Sequence, residues 1–190
     1  LRAHPDIQLF APGQAIDALP FADSDGGIER RVHAIALDFE GRFAATLGTI
    51  EVNAVRIPHS GWPKRHTEVE NLAFHVTLDH KATVLHMGDA HWDEQFFADQ
   101  SDYWAARDTL LALPPYWLFL AESGLNILQR RVRAAEEIGI HVPHDVPDNP
   151  SEYPSELEGR KLFSVPGETH SIVLPGAGED ERNATTDLRH

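Results

Sequence analysis

Three positions in this 190-residue chain set a ligand-type side chain just beyond the end of an apolar segment. His59 follows Ile57-Pro58, Asp89 follows Met87-Gly88, and His144 follows Val142-Pro143. Each has the same form: apolar strand, chain breaker, donor group. Strand ends are where side chains converge without the cost of a buried charge. Two imidazoles and a carboxylate are what a borderline divalent cation such as zinc accepts from a protein. The carboxylate neutralises charge and can bridge two ions. Each imidazole offers a neutral nitrogen, its tautomer fixed by whatever its other nitrogen meets. Spacing alone leaves a plainer reading open, in which the histidines cap strand ends and Asp89 binds backbone N–H groups of its own turn.

The other candidates among the 12 histidines divide by neighbourhood. His66 and Trp62 stand in the loop beyond His59, where they either line a substrate cleft or belong to a solvated loop. His86 and His91 flank the Gly88-Asp89 turn and could act behind the ligands, although His86 fits a plain sheet-face role equally well. His141 lies three residues before His144, with Pro143 between them opposing a helical pair. His75 and His80 read as hairpin surface, and Arg130, Arg131 and Arg133 as the wet face of a helix. No GxSxG, Gly-rich phosphate loop or HExxH motif occurs.

These side chains need elements to hold them. The segment NLAFHVTL alternates, with Leu72, Phe74, Val76 and Leu78 on one face and Ala73, His75 and Thr77 on the other. Asp79-His80 is a tight turn, and ATVLHM returns with Thr83, Leu85 and Met87, so a β-hairpin over 71–88 runs directly into Asp89. Leu72, Phe74, Leu85 and Met87 are its expected core residues. Further strands are expected at 7–11, 32–39, 49–57, 140–142, 162–165 and 171–174, and helical turns at 14–19 and near 151–158. Leu125, Leu128, Val132 and Ala135 recur at helical spacing, predicting an amphipathic helix over 124–137. The resulting class is α/β or α+β in layered form: one domain over 1–175 and a mobile polar tail over 176–190.

Composition excludes several function classes. The net charge of −14 opposes sequence-independent nucleic-acid binding and docking on an anionic membrane. With no cysteine, disulfides, thiolate zinc sites and a Cys nucleophile are excluded. No apolar run reaches the roughly 20 residues of a spanning helix. No basic-then-apolar signal opens the chain, and a cytoplasmic setting is favoured over an exported one. The first residue is Leu1 rather than Met, so the sequence reads as processed or truncated at its start.

VRIPHSGWP, the hairpin ending VLHMGDA and IGIHVPHDVP, in that order, resemble the C-terminal part of metallo-β-lactamase-fold hydrolases. The likeness spans residues 1–175 and is closest to the zinc-dependent group related to ascorbate-phosphate lactonases. It implies an αββα sandwich with the site at the sheet edges. It also implies that His59 completes a first metal site, Asp89 bridges and His144 serves a second metal. The family's HxHxDH motif does not occur here, and LRAHPDIQLFAP looks like the helix end and strand downstream of that motif in family members. The resemblance thus implies a fold short of its N-terminal strands. Two Zn²⁺ belong to the complete family site, and one or none is expected here. The expected substrate is a small ester, lactone, amide or phosphodiester, with impaired turnover and self-association into a homo-oligomer through an open sheet edge. Two alternatives stand beside it: a mononuclear Fe(II) oxygenase using the same two histidines and carboxylate, and a non-catalytic binding module on the same scaffold.

Overall fold

A computed structural model describes residues 1, 3–19, 28–143 and 154–173. It is a mixed α/β fold built on a six-stranded sheet. Strands β1 (Leu9–Pro12), followed directly by the short helix α1 (Gly13–Asp17), and β2 (Val32–Ile35) pair in parallel as a separate two-stranded sheet. In the larger sheet β3 (Arg42–Leu47), β4 (Ile50–Arg56), β5 (Leu72–Leu78) and β6 (Ala82–His86) are antiparallel neighbours. Strands β7 (Leu111–Leu113) and β8 (Glu136–Glu137) then extend it in parallel.

Parallel strands require crossovers. The first carries α2 (Gln95–Ala98) and α3 (Ser101–Ala105). The second carries a 3₁₀ segment (Tyr116–Leu120), α4 (Glu122–Asn126) and a π turn (Ile127–Val132). Both crossovers cover the same sheet face. Phe97, Trp104, Phe119 and Leu128 pack there against Val55, Ala73, Leu85 and Met87. A smaller cluster of Leu111, Leu113, Ile138, Ile140 and Ile172 gathers Val84 and Phe163 around it.

The hairpin forms as its alternation predicts, with positive φ at both Asp79 and His80 as a primed turn demands. Its inward face is partly the other one. Leu72, Leu85 and Met87 are buried as expected, but Phe74 is only half-buried, while Ala73 and His75 are fully buried. Register explains the correction: His75 lies opposite Leu85 and Phe74 opposite His86, so the residues sharing the core face with Leu85 are the odd-numbered ones. His75 is therefore interior rather than hairpin surface.

The expected helix over 124–137 is also shorter. Arg133 adopts the left-handed conformation after the π turn, and Glu136–Glu137 become a strand beside Leu111–Ala112. Residues 139, 140 and 162 form isolated bridges rather than strands, and Ser155–Leu157 is a 3₁₀ turn. His144 and the expected tail over 176–190 lie outside the described residues. Among the described residues no helix is long and apolar enough to cross a membrane.

Candidate functional site

Beyond their ladder, the ends of β4 and β6 stay zipped together. His59 and Ala90 form an antiparallel bridge, Ser60 N–H donates to the Asp89 carbonyl (2.7 Å), and His91 N–H donates to the Pro58 carbonyl (2.9 Å). His59 and Asp89 thereby become neighbours despite their separation in sequence.

The turn that delivers Asp89 depends on two residues. Gly88 has φ +58°, and a Cβ built on it would collide with Asn71 Oδ1. Buried Asn71 accepts from the Asp89 N–H (2.8 Å) and donates to the Met87 carbonyl (3.2 Å). Its side chain fills the space a larger residue at 88 would need. Asn71 thus satisfies the turn's backbone, and the Asp89 carboxylate remains free of that duty.

That carboxylate faces two imidazoles. Oδ2 is 3.5 Å from His59 Nε2, and Oδ1 is 3.7 Å from His141 Nε2. Both separations exceed a hydrogen bond. Two donors each about 2.0–2.1 Å from one tetrahedral cation would stand about 3.3 Å apart, so both pairs fit a shared ion within a few tenths of an ångström. Tautomer points the same way. His59 Nδ1–H donates to the Ser60 carbonyl at 2.7 Å, which leaves the lone pair of the neutral ring on Nε2, toward Asp89. A lone pair and a carboxylate oxygen repel unless a proton or metal cation lies between them.

His141 is a residue that sequence reasoning did not place among the ligands; His144, which it did, lies outside the described residues. The ladder of β7 and β8 continues through Ile140, whose N–H donates to the Pro114 carbonyl and whose carbonyl accepts from Tyr116 N–H. His141 then turns at φ +60°, an uncommon conformation for a side chain other than glycine. Trp117 braces it by stacking on its ring at 5.8 Å while donating Nε1–H to the Ala90 carbonyl at 3.0 Å. One indole therefore ties together the loops that carry Asp89 and His141.

The neighbours divide along this axis. On the His59 side, exposed His66 lies against the His59 ring with centroids 4.5 Å apart. Trp62 packs edge-on against Phe96 and Phe39. Burial holds His91 below the usual imidazole range, partly offset by the Asp93 charge and a hydrogen bond to the Trp62 carbonyl. On the His141 side, His86 accepts the Gly88 N–H on Nδ1 (3.1 Å), which assigns the ring proton to Nε2. His86 and His141 form part of the wall of a cavity of about 360 Å³, completed by Val142, Phe163, Ser164 and Val165. This cavity does not involve Trp62 or His66.

Among the described residues no three His, Asp or Glu side chains close on a single point. His59, Asp89 and His141 form a chain, with the carboxylate in the middle. Imidazole nitrogen and carboxylate oxygen are donor types that zinc accepts. No protein-family model and no curated protein matches this chain.

Proposed function

We propose that the protein is a metal-dependent hydrolase of the metallo-β-lactamase type, acting on a small ester, lactone, amide or phosphodiester. The observation that carries the reading is that each oxygen of Asp89 faces a different imidazole Nε2, at 3.5 and 3.7 Å. A carboxylate divided in this way suits a bridge between two ions better than one face of a mononuclear iron site. The six-stranded sheet with both crossovers on one face supports one half of an αββα sandwich.

His59 and Asp89 would hold one zinc ion, Asp89 and His141 the other. A bound zinc supplies a hydroxide nucleophile near neutral pH and polarises the scissile bond. The chain's own residues have separate duties. The Ser60 carbonyl keeps the His59 proton on Nδ1, and Asn71 keeps the Asp89 turn in place. His86 accepts the Gly88 N–H on Nδ1 and lines the cavity beside His141. Phe163 and Val165 give the same cavity an apolar wall that receives the nonpolar part of a substrate and excludes water. Three protein ligands complete neither of two four-coordinate sites, so turnover supported by these three alone is expected to be weak.

The test is hydrolysis of an aryl ester, a γ-lactone and an aryl phosphodiester by zinc-loaded protein, alongside Asp89→Asn and His141→Ala. Hydrolysis that tracks zinc content and disappears in both variants is expected. Hydrolysis and zinc content unchanged in both variants would overturn the proposal.

A further inference from the structure

A second cavity, of about 310 Å³, lies between α3 and the π turn and shares no lining residue with the His141 cavity. We propose that it is a binding site for a phosphate group, carried by a small organic phosphomonoester or as the free ion. In a chain of net charge −14, its wall gathers Arg130, Arg131 and Arg133, together with Ser101, Asp102 and Trp104.

The charges do not cancel. Asp102 is held by Arg42 at 2.5 Å, and Arg131 Nη2 is held by Glu94 at 3.1 Å. Arg130 and Arg133 form no ion pair among the described residues. Two buried donors in this wall also lack an acceptor among the described residues: Trp104 Nε1, on a side chain 2% exposed, and Arg131 Nε. A buried N–H without an acceptor is destabilising, and two on residues of one cavity wall add to its excess of donors.

Guanidinium and indole N–H groups donate and cannot accept. Their complement is an anion, and the number of donors selects among anions. A carboxylate presents two oxygens in one plane, whereas a phosphate presents three or four in a tetrahedron with up to two charges. The forked donors of arginine suit phosphate well. All three arginines lie at the C-terminal end of the π turn, which Arg133 N–H closes by donating to the Leu128 carbonyl at 2.7 Å, and all three line the cavity. Such π bulges occur often at functional sites.

The experiment follows the four indole N–H signals by NMR, with Trp104 assigned through Trp104→Phe. The wild-type chain is titrated with inorganic phosphate, phenyl phosphate and acetate at constant ionic strength. Saturable movement of the Trp104 signal with both phosphates and not with acetate is expected. Whichever phosphate binds more tightly identifies the free ion or the phosphomonoester as the source. In R130A/R133A, exposed positions that should leave the ligand-free melting temperature within a few degrees, affinity should fall at least tenfold. A still Trp104 signal, an equal response to acetate, or unsaturable drift with every anion (an adventitious ion only) would overturn the proposal. Undiminished affinity in a folded R130A/R133A would do the same. The wild-type titration decides the matter alone if that variant does not fold.

Discussion

His75 on β5 and His59 just beyond β4 belong to one sheet, yet their surroundings ask opposite things of an imidazole. His75 is 1% exposed, with Nδ1 3.0 Å from the Tyr103 hydroxyl and Nε2 3.2 Å from the Thr109 hydroxyl. Both ring nitrogens are answered by neutral partners that can donate or accept. Burial, with the Arg107 charge adding to it, pushes its pKa down to about 3. His59 has one nitrogen committed to a backbone carbonyl and the other facing a carboxylate across 3.5 Å. A histidine whose hydrogen bonds close on themselves is structure. One left with a lone pair against an anion is prepared for a cation.

The largest consequence of this contrast is acid sensitivity. An unfolded His75 takes up a proton as pH falls through 6.5, whereas the folded one refuses it until about 3. Stability from this group is therefore present above pH 6.5 and lost as pH falls from 6.5 toward 3. The loss amounts to about 4 to 5 kcal/mol across that window. Urea midpoints measured from pH 7 to 4 should fall less steeply in His75→Phe than in the wild type. The variant should also start lower at pH 7, since it leaves the Tyr103 and Thr109 hydroxyls unpaired at about 1–3 kcal/mol. Equal slopes would remove His75 as the acid-sensitive group.

Next in size is Gly88→Ala. Its positive φ costs about 1–2 kcal/mol, and displacing Asn71 from its two backbone partners adds about 1–3. A loss of about 3 kcal/mol in denaturant unfolding is expected, with weakened zinc binding in whatever folds. A neutral result would show that Asn71 can move aside freely.

The hairpin and its Gly88-Asp89 exit were legible from alternation and turn chemistry, because both are local. The inward face was legible only in part. Phe74 is the more apolar residue, yet register with β6 places His75 beside Leu85, and partners from the distant segment 103–109 make that imidazole acceptable inside. Asn71 could have been found, since extending the hairpin register places it opposite Asp89. His141 stands just past the ladder, which ends at Ile140, and its role was not legible because Pro143 argued only against a helical pair with His144, which lies outside the described residues. Trp117 offered no local signal, because its contacts to Ala90 and His141 span two crossovers.

Trp117→Phe should have the smallest effect. It keeps a ring beside His141 and loses one hydrogen bond, costing about 0.5–1.5 kcal/mol. Support lost behind a metal ligand lowers affinity by about 10–100-fold, and with the ring retained the lower end is expected. Zinc titration calorimetry on the variant measures it, and no change in affinity would leave His141 positioned without this brace.

Long-range ¹H–¹⁵N NMR of the histidine side chains during zinc titration tests most directly whether Asp89 divides itself between two ligands. Before zinc, His59 should show the Nδ1–H tautomer. On addition, Nε2 of both His59 and His141 should shift together while His75 stays still, and Asp89→Asn should abolish both shifts. Doubly protonated His59 and His141 rings at pH 7.5, unmoved by zinc and paired with Asp89 as plain ion pairs, would contradict it.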